Sequence, residues 1–320
     1  MNSDSTVPAR DICVAQVAVN TCDLPGSLRL FHEMFGLRNA GASCLWGDIM
    51  RVQGLAPDAR GLIWWMVGGA PFFQLEIFQH TRPAQRPLPA DWRPCDHGWV
   101  RFGIAVNDFD RAANAARSWG LAYRLAASQG GGRRRMSYRD PFVGVVIEVL
   151  ESSDPACPVL SYATSSVADL SATRHFYQDV IKAEIRELTE LHNPADEALW
   201  GLAGAQLEGF LAKFGAMYLE VVSYSFPQGQ TPSDRVICDQ GIMNVALGSR
   251  DTQVIDAVID RARAHGNTLT EVFRGDGTVG TYIVDPGCEI ELLAAAEKYD
   301  RALGFAAAAP FLGELSLIRP

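Results

Sequence analysis

Four short segments of the chain set a glutamate between apolar neighbours: Gln74-Leu75-Glu76-Ile77-Phe78, Val146-Ile147-Glu148-Val149-Leu150, Tyr218-Leu219-Glu220-Val221-Val222 and Glu289-Ile290-Glu291-Leu292-Leu293. Each reads as a strand. The four glutamates recur at steps of 72, 72 and 71 residues, the mark of a repeated structural unit. A carboxylate among apolar strand neighbours is unfavourable to bury unless something pairs with it. A second pattern recurs upstream of each glutamate. The first module opens on a strand through Asn20 in which Val14, Gln16, Ala18 and Asn20 share one face, and Gln16 and Asn20 are the strand's only polar side chains. Asp23-Leu24 and a helix from Ser27 to Gly36 follow, with Leu30-Phe31 inside it. The third module repeats this with Ser161 to Ser166, Asp169-Leu170 and a helix from Ala172 to Ile181. The second and fourth modules form a variant: Val100 to Val106, Asp108-Phe109 and a helix ending at Gly120; then Met243 to Leu247 and a helix from Val254 to His265 ending at Gly266. The chain is therefore predicted to be α+β, with four βαβββ modules.

The polar, turn-rich Glu151-Ser152-Ser153-Asp154-Pro155 suggests a division into two domains, 9–152 and 156–295, each made of two consecutive modules. Residues 296–320 lie outside the repeat and read as an extension with a short helix and an extended tail. Gly275-Asp276-Gly277-Thr278-Val279-Gly280 fits the spacing of a dinucleotide-binding loop, but it runs into strand-like Thr281 to Val284, so it reads as a hairpin turn. Gly130 to Arg135 reads as a solvated hairpin or, alternatively, an anion-binding tip.

Composition narrows the function classes. Of 320 residues, 48% are hydrophobic and 20% charged, the balance of a globular chain, and the length suits two domains. A net charge of −9 argues against nucleic-acid binding. No apolar run is long enough for a membrane helix, and the first residues lack the core of a signal peptide, so a cytoplasmic location is expected. Seven cysteines with no Cys-x-x-Cys support neither a disulfide framework nor a zinc knuckle.

Four modules in register, with Asp23-Leu24, Leu30-Phe31, Gly36, Asp169-Leu170, Phe176-Tyr177 and Asp285-Pro286-Gly287 ahead of Glu289-Ile290-Glu291-Leu292, resemble the vicinal oxygen chelate (glyoxalase/bleomycin resistance/dioxygenase) superfamily. The two-domain arrangement is similar to that of the type I extradiol dioxygenases, and the resemblance implies that the two modules of each domain curl one mixed sheet around a cleft. The resemblance implies that site residues come from the first and last strands of each module. In the first domain these are Gln16, Glu76, Arg101 and Glu148; in the second, Tyr162, Glu220, Asn244 and Glu291. Gln16 and Glu76 are the residue types glyoxalase I uses in its first module. Arg101 falls where that enzyme places a histidine, and a guanidinium has no lone pair for a metal. The imidazoles of an extradiol iron centre are replaced by Tyr162 and Asn244, so Fe(II) chemistry is disfavoured.

These residues lead to an expected enzyme of lyase, isomerase or ring-opening type, acting on a small oxygenated, aromatic or non-aromatic compound by acid–base chemistry. The catalytic set is Glu76, Glu148, Arg101 and Gln16, with Arg101 neutralising one of the two glutamates and the other serving as base. Tyr162, Glu220, Asn244, Glu291 and, from the cleft rim, His97 are expected to bind substrate. Trp46, Trp64, Trp65, Phe72 and Phe73 are either cleft wall or core. No cofactor is required by this reading; a divalent metal on Gln16, Glu76 and Glu148 stays open. The alternative is a metal-free binding protein of the bleomycin-resistance kind. The partner is a small molecule, and a homo-oligomer is left open.

Overall fold

The computed structural model describes residues 12–127, 132–232, 234–284 and 288–310. The expected modules are all present. The first comprises β1 (Cys13–Asn20), α1 (Leu24–Phe35), β2 (Arg38–Trp46), β3 (Arg60–Val67) and β4 (Gln74–Arg82). The second comprises β5 (Gly98–Val106), α2 (Phe109–Ser118), β6 (Tyr123–Ala127), β7 (Arg134–Arg139) and β8 (Val146–Glu151). The third comprises β9 (Val159–Ser166), α3 (Leu170–His175, continued by a π-helical turn Phe176–Ile181), β10 (Glu184–Arg186), β11 (Gln206–Phe214) and β12 (Met217–Phe226). The fourth comprises β13 (Gly241–Ser249), α4 (Thr252–Ala264), β14 (Phe273–Gly275), β15 (Thr278–Ile283) and β16 (Ile290–Ala295).

The recurring aspartates start the helices. Asp23 accepts a hydrogen bond from Gly26 N, Asp108 from Arg111 N, Asp169 from Ala172 N and Asp251 from Gln253 N, each satisfying a backbone donor that the first helical turn leaves free. Apolar residues after each aspartate then bury one helix stripe: Leu24, Leu28, Phe31 and Met34 on α1, Ile255, Val258, Ile259 and Ala262 on α4. The helix-bearing faces of both sheets contribute to one continuous core, which includes Val17, Phe31, Phe102, Ile147, Phe210 and Ile255. The opposite faces form two clefts.

Sheet assembly corrects the expected pairing of modules. Sheet I has the order β14-β15-β16-β13-β1-β4-β3-β2, so it joins the first and fourth modules. Sheet II has the order β10-β11-β12-β9-β5-β8-β7-β6 and joins the second and third. β1 runs antiparallel to β13, and β5 antiparallel to β9. The cut near residue 152 therefore falls inside sheet II, and neither 9–152 nor 156–295 carries a cleft of its own. The connections explain why. Residues 152–158 are a short link that keeps β8 and β9 in one sheet. Residues 83–97 and 227–240 are the crossings between sheets, and they travel together: Arg86 Nη2 lies 2.6 Å from Asp239 Oδ2, and His97 N donates to Gln230 O at 2.9 Å.

Gly275 to Gly280 is the predicted hairpin turn, between β14 and β15. In the extension, Glu297–Tyr299 forms a short 3-10 turn, and Leu303 and Phe305 pack over sheet I. Residues 128–131 of the other hairpin, Asp285 to Gly287 of the signature string, and residues 311–320 lie outside the described residues, as do residues 1–11. Among the described residues, no helix is long and apolar enough to cross a membrane.

Candidate functional site: two unlike clefts

Cleft I is built on sheet I. Strand register places Glu76 beside Ala18, and Ala18 beside Asn244; one row along, Gln16 lies beside Ala246, and Ala246 beside Glu291. Partnered strand residues share a face, so Gln16, Glu76, Asn244 and Glu291 converge on one floor, with the small side chains of Ala18 and Ala246 between them. A cavity of about 180 Å³ stands over this floor. Ile63, Trp65, Phe78 and Tyr282 form its walls. Ile49 and Val52 of a 3-10 segment, Gly47–Gln53, roof one side, and Leu303 and Phe305 the other.

Each carboxylate faces an aromatic residue across its ladder: Trp65 opposite Glu76, Tyr282 opposite Glu291. Trp65 Nε1 donates to Glu76 Oε1 at 2.8 Å, and Asn244 Nδ2 donates to the Tyr282 hydroxyl at 3.2 Å. Among the described residues, no arginine, lysine or histidine side chain lines the cavity. Burial therefore raises the Glu76 pKa well above the usual carboxylate range; the charge of Glu291 adds to this and the Trp65 bond opposes it. Burial likewise pushes Glu291 up to about 7, against the Tyr282 hydrogen bond. His80 stands just outside, its Nδ1 donating to Asn20 Oδ1 at 3.0 Å and its Nε2 lying 3.4 Å from the Gln53 side-chain amide. Burial lowers its pKa to about 4, so it is a neutral support for the roof.

Cleft II has the same floor plan and opposite electrostatics. Gly103 lies beside Glu148 and Tyr162; Arg101 lies beside Thr164, which lies beside Glu220. Arg101 Nη2 contacts Glu220 Oε2 at 2.8 Å and Glu197 Oε1 at 3.7 Å, and its guanidinium carbon sits 4.3 Å over the Trp200 ring. Arg135 Nε contacts Glu148 Oε1 at 2.5 Å, and Tyr162 donates to Glu148. His192 Nδ1 bonds Glu220 Oε1 at 2.8 Å, while its Nε2 lies 3.5 Å from Glu148 Oε2, close enough for an ion pair without hydrogen-bond geometry. Burial opposes charge on His192, but Glu220 and Glu148 outweigh it and raise the ring to about 9. Burial likewise works to raise both glutamates, yet His192 with Arg101 holds Glu220 below its usual range, and His192 with Arg135 does so for Glu148. A 3-10 segment, Pro194–Trp200, fills the space above. Gly103 is needed here, since a Cβ would lie 2.2 Å from Tyr162 Cε1.

The expected first-domain set is therefore divided. Gln16 and Glu76 are in cleft I; Arg101 and Glu148 are in cleft II, where each has a different partner from the one expected. Arg101 pairs with Glu220, not with Glu76 or Glu148, so a metal set of Gln16, Glu76 and Glu148 is not assembled. Of the second set, Asn244 and Glu291 join cleft I, and Tyr162 and Glu220 join cleft II. His97 reaches neither floor; its Nδ1 pairs with Thr231 Oγ1 at 2.7 Å on the crossing segment. Of the five aromatics, Trp65 is cleft wall, Phe72 and Phe73 are core, Trp64 bonds Asn39, and Trp46 is 60% exposed. Sequence reasoning missed Trp65 as a partner of Glu76, Tyr282, and the filling of cleft II by His192, Arg135 and Trp200. The aromatics facing the glutamates across their ladders were the available signal. A larger open groove of about 900 Å³ between α1, α2 and residues 307–310 holds mostly solvent-exposed polar groups and no comparable buried cluster among the described residues.

No family model and no curated protein matches the sequence. Among solved structures, the chain is similar to glyoxalase I from Zea mays, at 16% identity and a TM-score of 0.56, over 88% of this chain and 92% of that one. It is also similar to a putative dioxygenase from Bacillus subtilis, at 10% identity and a TM-score of 0.59, over 97% of this chain and 96% of that one. The chain has the two-domain glyoxalase fold. The likeness spans all four modules, as the recurring strings implied. Among the described residues no group of three or more His, Cys, Asp or Glu side chains is arranged to hold a metal ion. On this glyoxalase fold, cleft I instead offers two carboxylates and two amides. Gln16 Oε1, Asn244 Oδ1 and Glu291 Oε2 are buried acceptors with no donor, a set that fits a cation bound by oxygen alone.

Proposed function

We propose that the protein is an acid–base enzyme of isomerase or lyase type, working in cleft I on a small oxygenated compound. The observation that carries this reading is the buried Glu76–Glu291 pair in a cavity whose described lining includes no cationic side chain. Two such carboxylates do not both ionise readily, so the first loses its proton while the other keeps its own. One is then a base for a proton next to a substrate carbonyl, and the other an acid for the oxygen that receives charge. Trp65 Nε1 fixes the Glu76 carboxylate, and the apolar walls keep water from competing for the proton. A cavity of about 180 Å³ suits a compact molecule, and Trp65, Phe78, Tyr282 and Phe305 suit a flat one. A divalent cation held by Gln16, Glu76, Asn244 and Glu291 would supply electrophilic polarisation of a substrate oxygen. The floor has no imidazole, so it does not suit the two-histidine, one-carboxylate iron site of a ring-cleaving dioxygenase.

Deuterium exchange of α-hydroxyaldehydes and α-hydroxyketones in heavy water, followed by proton NMR, reads proton abstraction whatever the product. The protein should catalyse exchange for at least one such compound, and Glu76→Gln or Glu291→Gln should slow it by roughly 10²-fold. Undiminished exchange in both variants would falsify the carboxylate mechanism. The roof of Ile49, Val52, Leu303 and Phe305 favours one second reading, a protein that retains its ligand unchanged. Binding without exchange, in a panel that includes the bound compound, selects it.

A further inference from the structure

The crossing segments 83–97 and 227–240 enclose a pocket of about 190 Å³ that belongs to neither cleft. Leu88, Trp92 and the rings of Pro87, Pro89 and Pro232 supply its apolar wall. The charged groups of the lining are unequally paired. Arg86 holds both aspartates: its Nε and Nη2 contact Asp239 at 2.9 and 2.6 Å, and its Nη1 contacts Asp234 at 2.8 Å. Asp239 also accepts from Val236 N at 2.9 Å. Arg235, partly buried, is left without a carboxylate. Among the described residues its guanidinium makes one hydrogen bond, from Nη2 to Ile242 O at 3.0 Å, and no ion pair. Gly241 makes room for it: φ there is +129°, and a Cβ would lie 2.7 Å from Arg235 Nη2. Burial disfavours the charge and lowers the Arg235 pKa, against the pull of Glu289, Asp239 and Cys288. A guanidinium has five N–H donors in a planar fork, and a single backbone carbonyl uses few of them. The walls are fixed in advance. Leu88 N donates to Gln240 Oε1 at 2.8 Å, Gln240 N to Arg86 O at 2.9 Å and Gln240 Nε2 to Phe142 O at 2.7 Å. A ligand entering there meets a preformed shape.

We propose that this pocket binds a small monocarboxylate with an apolar body, its two oxygens on the Arg235 fork and its body against Leu88, Trp92 and the prolines. A carboxylate matches a guanidinium in geometry as well as in charge. The lining as a whole carries two arginines and two aspartates, so an ion of higher charge, such as phosphate, gains little from it. The volume is below that of drug-sized sites, which limits the body to about one ring. Arg86 engages both aspartates, which leaves no free acid or base beside the ligand, so the pocket holds its ligand and does not convert it. The site is separate from cleft I and stands whether or not cleft I is catalytic.

The test uses the full chain with benzoate as the probe and benzamide as a neutral molecule of similar shape. In calorimetry, benzoate should saturate one site per chain with a Kd of about 1 mM or below, and benzamide should bind roughly tenfold more weakly. Intermolecular nuclear Overhauser contacts from the benzoate ring should reach Leu88 and Trp92. Arg235→Met removes the fork and should weaken benzoate by roughly tenfold or more; Arg235→Lys keeps the charge, loses the fork and should fall between. Glu76→Gln, in cleft I, should bind benzoate as the parent does. The Overhauser contacts need no variant and decide the matter if Arg235→Met fails to fold. Absence of saturation at about 10 mM benzoate overturns the proposal. So does equal affinity for benzamide, or tighter binding of inorganic phosphate than of benzoate. Contacts from benzoate to Trp65 and Phe305 of cleft I, in place of Leu88 and Trp92, also overturn it.

Discussion

Clefts I and II are built on the same strands of equivalent modules, and in both, those strands carry two buried glutamates; a loop adds a third, Glu197, to cleft II. They differ in what the chain places opposite those glutamates. Between the second and third strands of the first module, the connection forms the 3-10 segment Gly47–Gln53, which roofs cleft I with Ile49 and Val52 and leaves a cavity beneath. The equivalent connection of the third module carries His192, Asp196, Glu197 and Trp200 down onto the floor of cleft II. Arg101, Arg135 and His192 there face Glu148, Glu220 and Asp196, and Glu197 holds its proton more tightly than usual because it is buried, despite Arg101. A buried carboxylate is thus a poor indicator of a working site by itself. A paired carboxylate, satisfied by its own chain, is structural; an unpaired one keeps chemical potential for a ligand or a proton.

The comparison makes its largest prediction for stability. Arg101→Met leaves Glu220 buried beside fewer cations and should destabilise the fold by about 3–5 kcal/mol in urea unfolding. Glu291→Gln, which removes an uncompensated charge from cleft I, should leave stability unchanged or raise it. If the two variants behave alike, the clefts are not electrostatically different. A smaller effect should come from backbone sites. Gly304 has a φ of +76°, and a Cβ there would lie 2.2 Å from Trp65 Cγ. Gly304→Ala should lower stability by about 1–3 kcal/mol and, through Trp65, disturb Glu76. Gly103→Ala meets Tyr162 at the same distance but should leave isotope exchange in cleft I untouched.

The smallest effect is in the pH dependence of stability. Glu76 and Glu291 bind a proton more tightly folded than unfolded. Their contribution is therefore full below the ordinary carboxylate value of 4.5; that of Glu291 is lost as pH rises through about 7, and that of Glu76 as pH rises through its own raised value. Glu148 and Glu220 have the opposite sign: their contribution is present above 4.5 and is lost as pH falls through their lowered values. His192 contributes fully below 6.5 and loses that contribution as pH rises through about 9. From about pH 5 to 7, the decline that Glu291 causes should disappear in Glu291→Gln, while the loss in acid should remain.

Much of the fold is legible in the chain. The glutamate spacing marks the modules, and the aspartates mark the helix starts, because both are local consequences of side-chain chemistry. Module pairing is not, since every first strand shows a similar apolar face and nothing in its period names its neighbour. The signal lies in the connections: short at 152–158, long and proline-bearing at 83–97 and 227–240. Pairing consecutive modules puts Arg101 and Glu148 in the wrong cleft, so the family resemblance nominates Gln16, Glu76, Asn244 and Glu291 without grouping them. His192 and Trp200 lie in a loop whose path over the floor no periodicity describes.

The most direct test of the difference between the clefts needs no substrate. Carbon-13 labelling of glutamate carboxyls, with assignments from Glu76→Gln, Glu291→Gln, Glu148→Gln and Glu220→Gln, follows each group through a pH titration by NMR. The cleft I pair should titrate late, with Glu291 near 7, while Glu148 and Glu220 should stay ionised to below the ordinary carboxylate range. Glutamates of cleft I that titrate at or below the ordinary value of 4.5, or a cleft II pair that titrates late, would contradict the difference between the clefts.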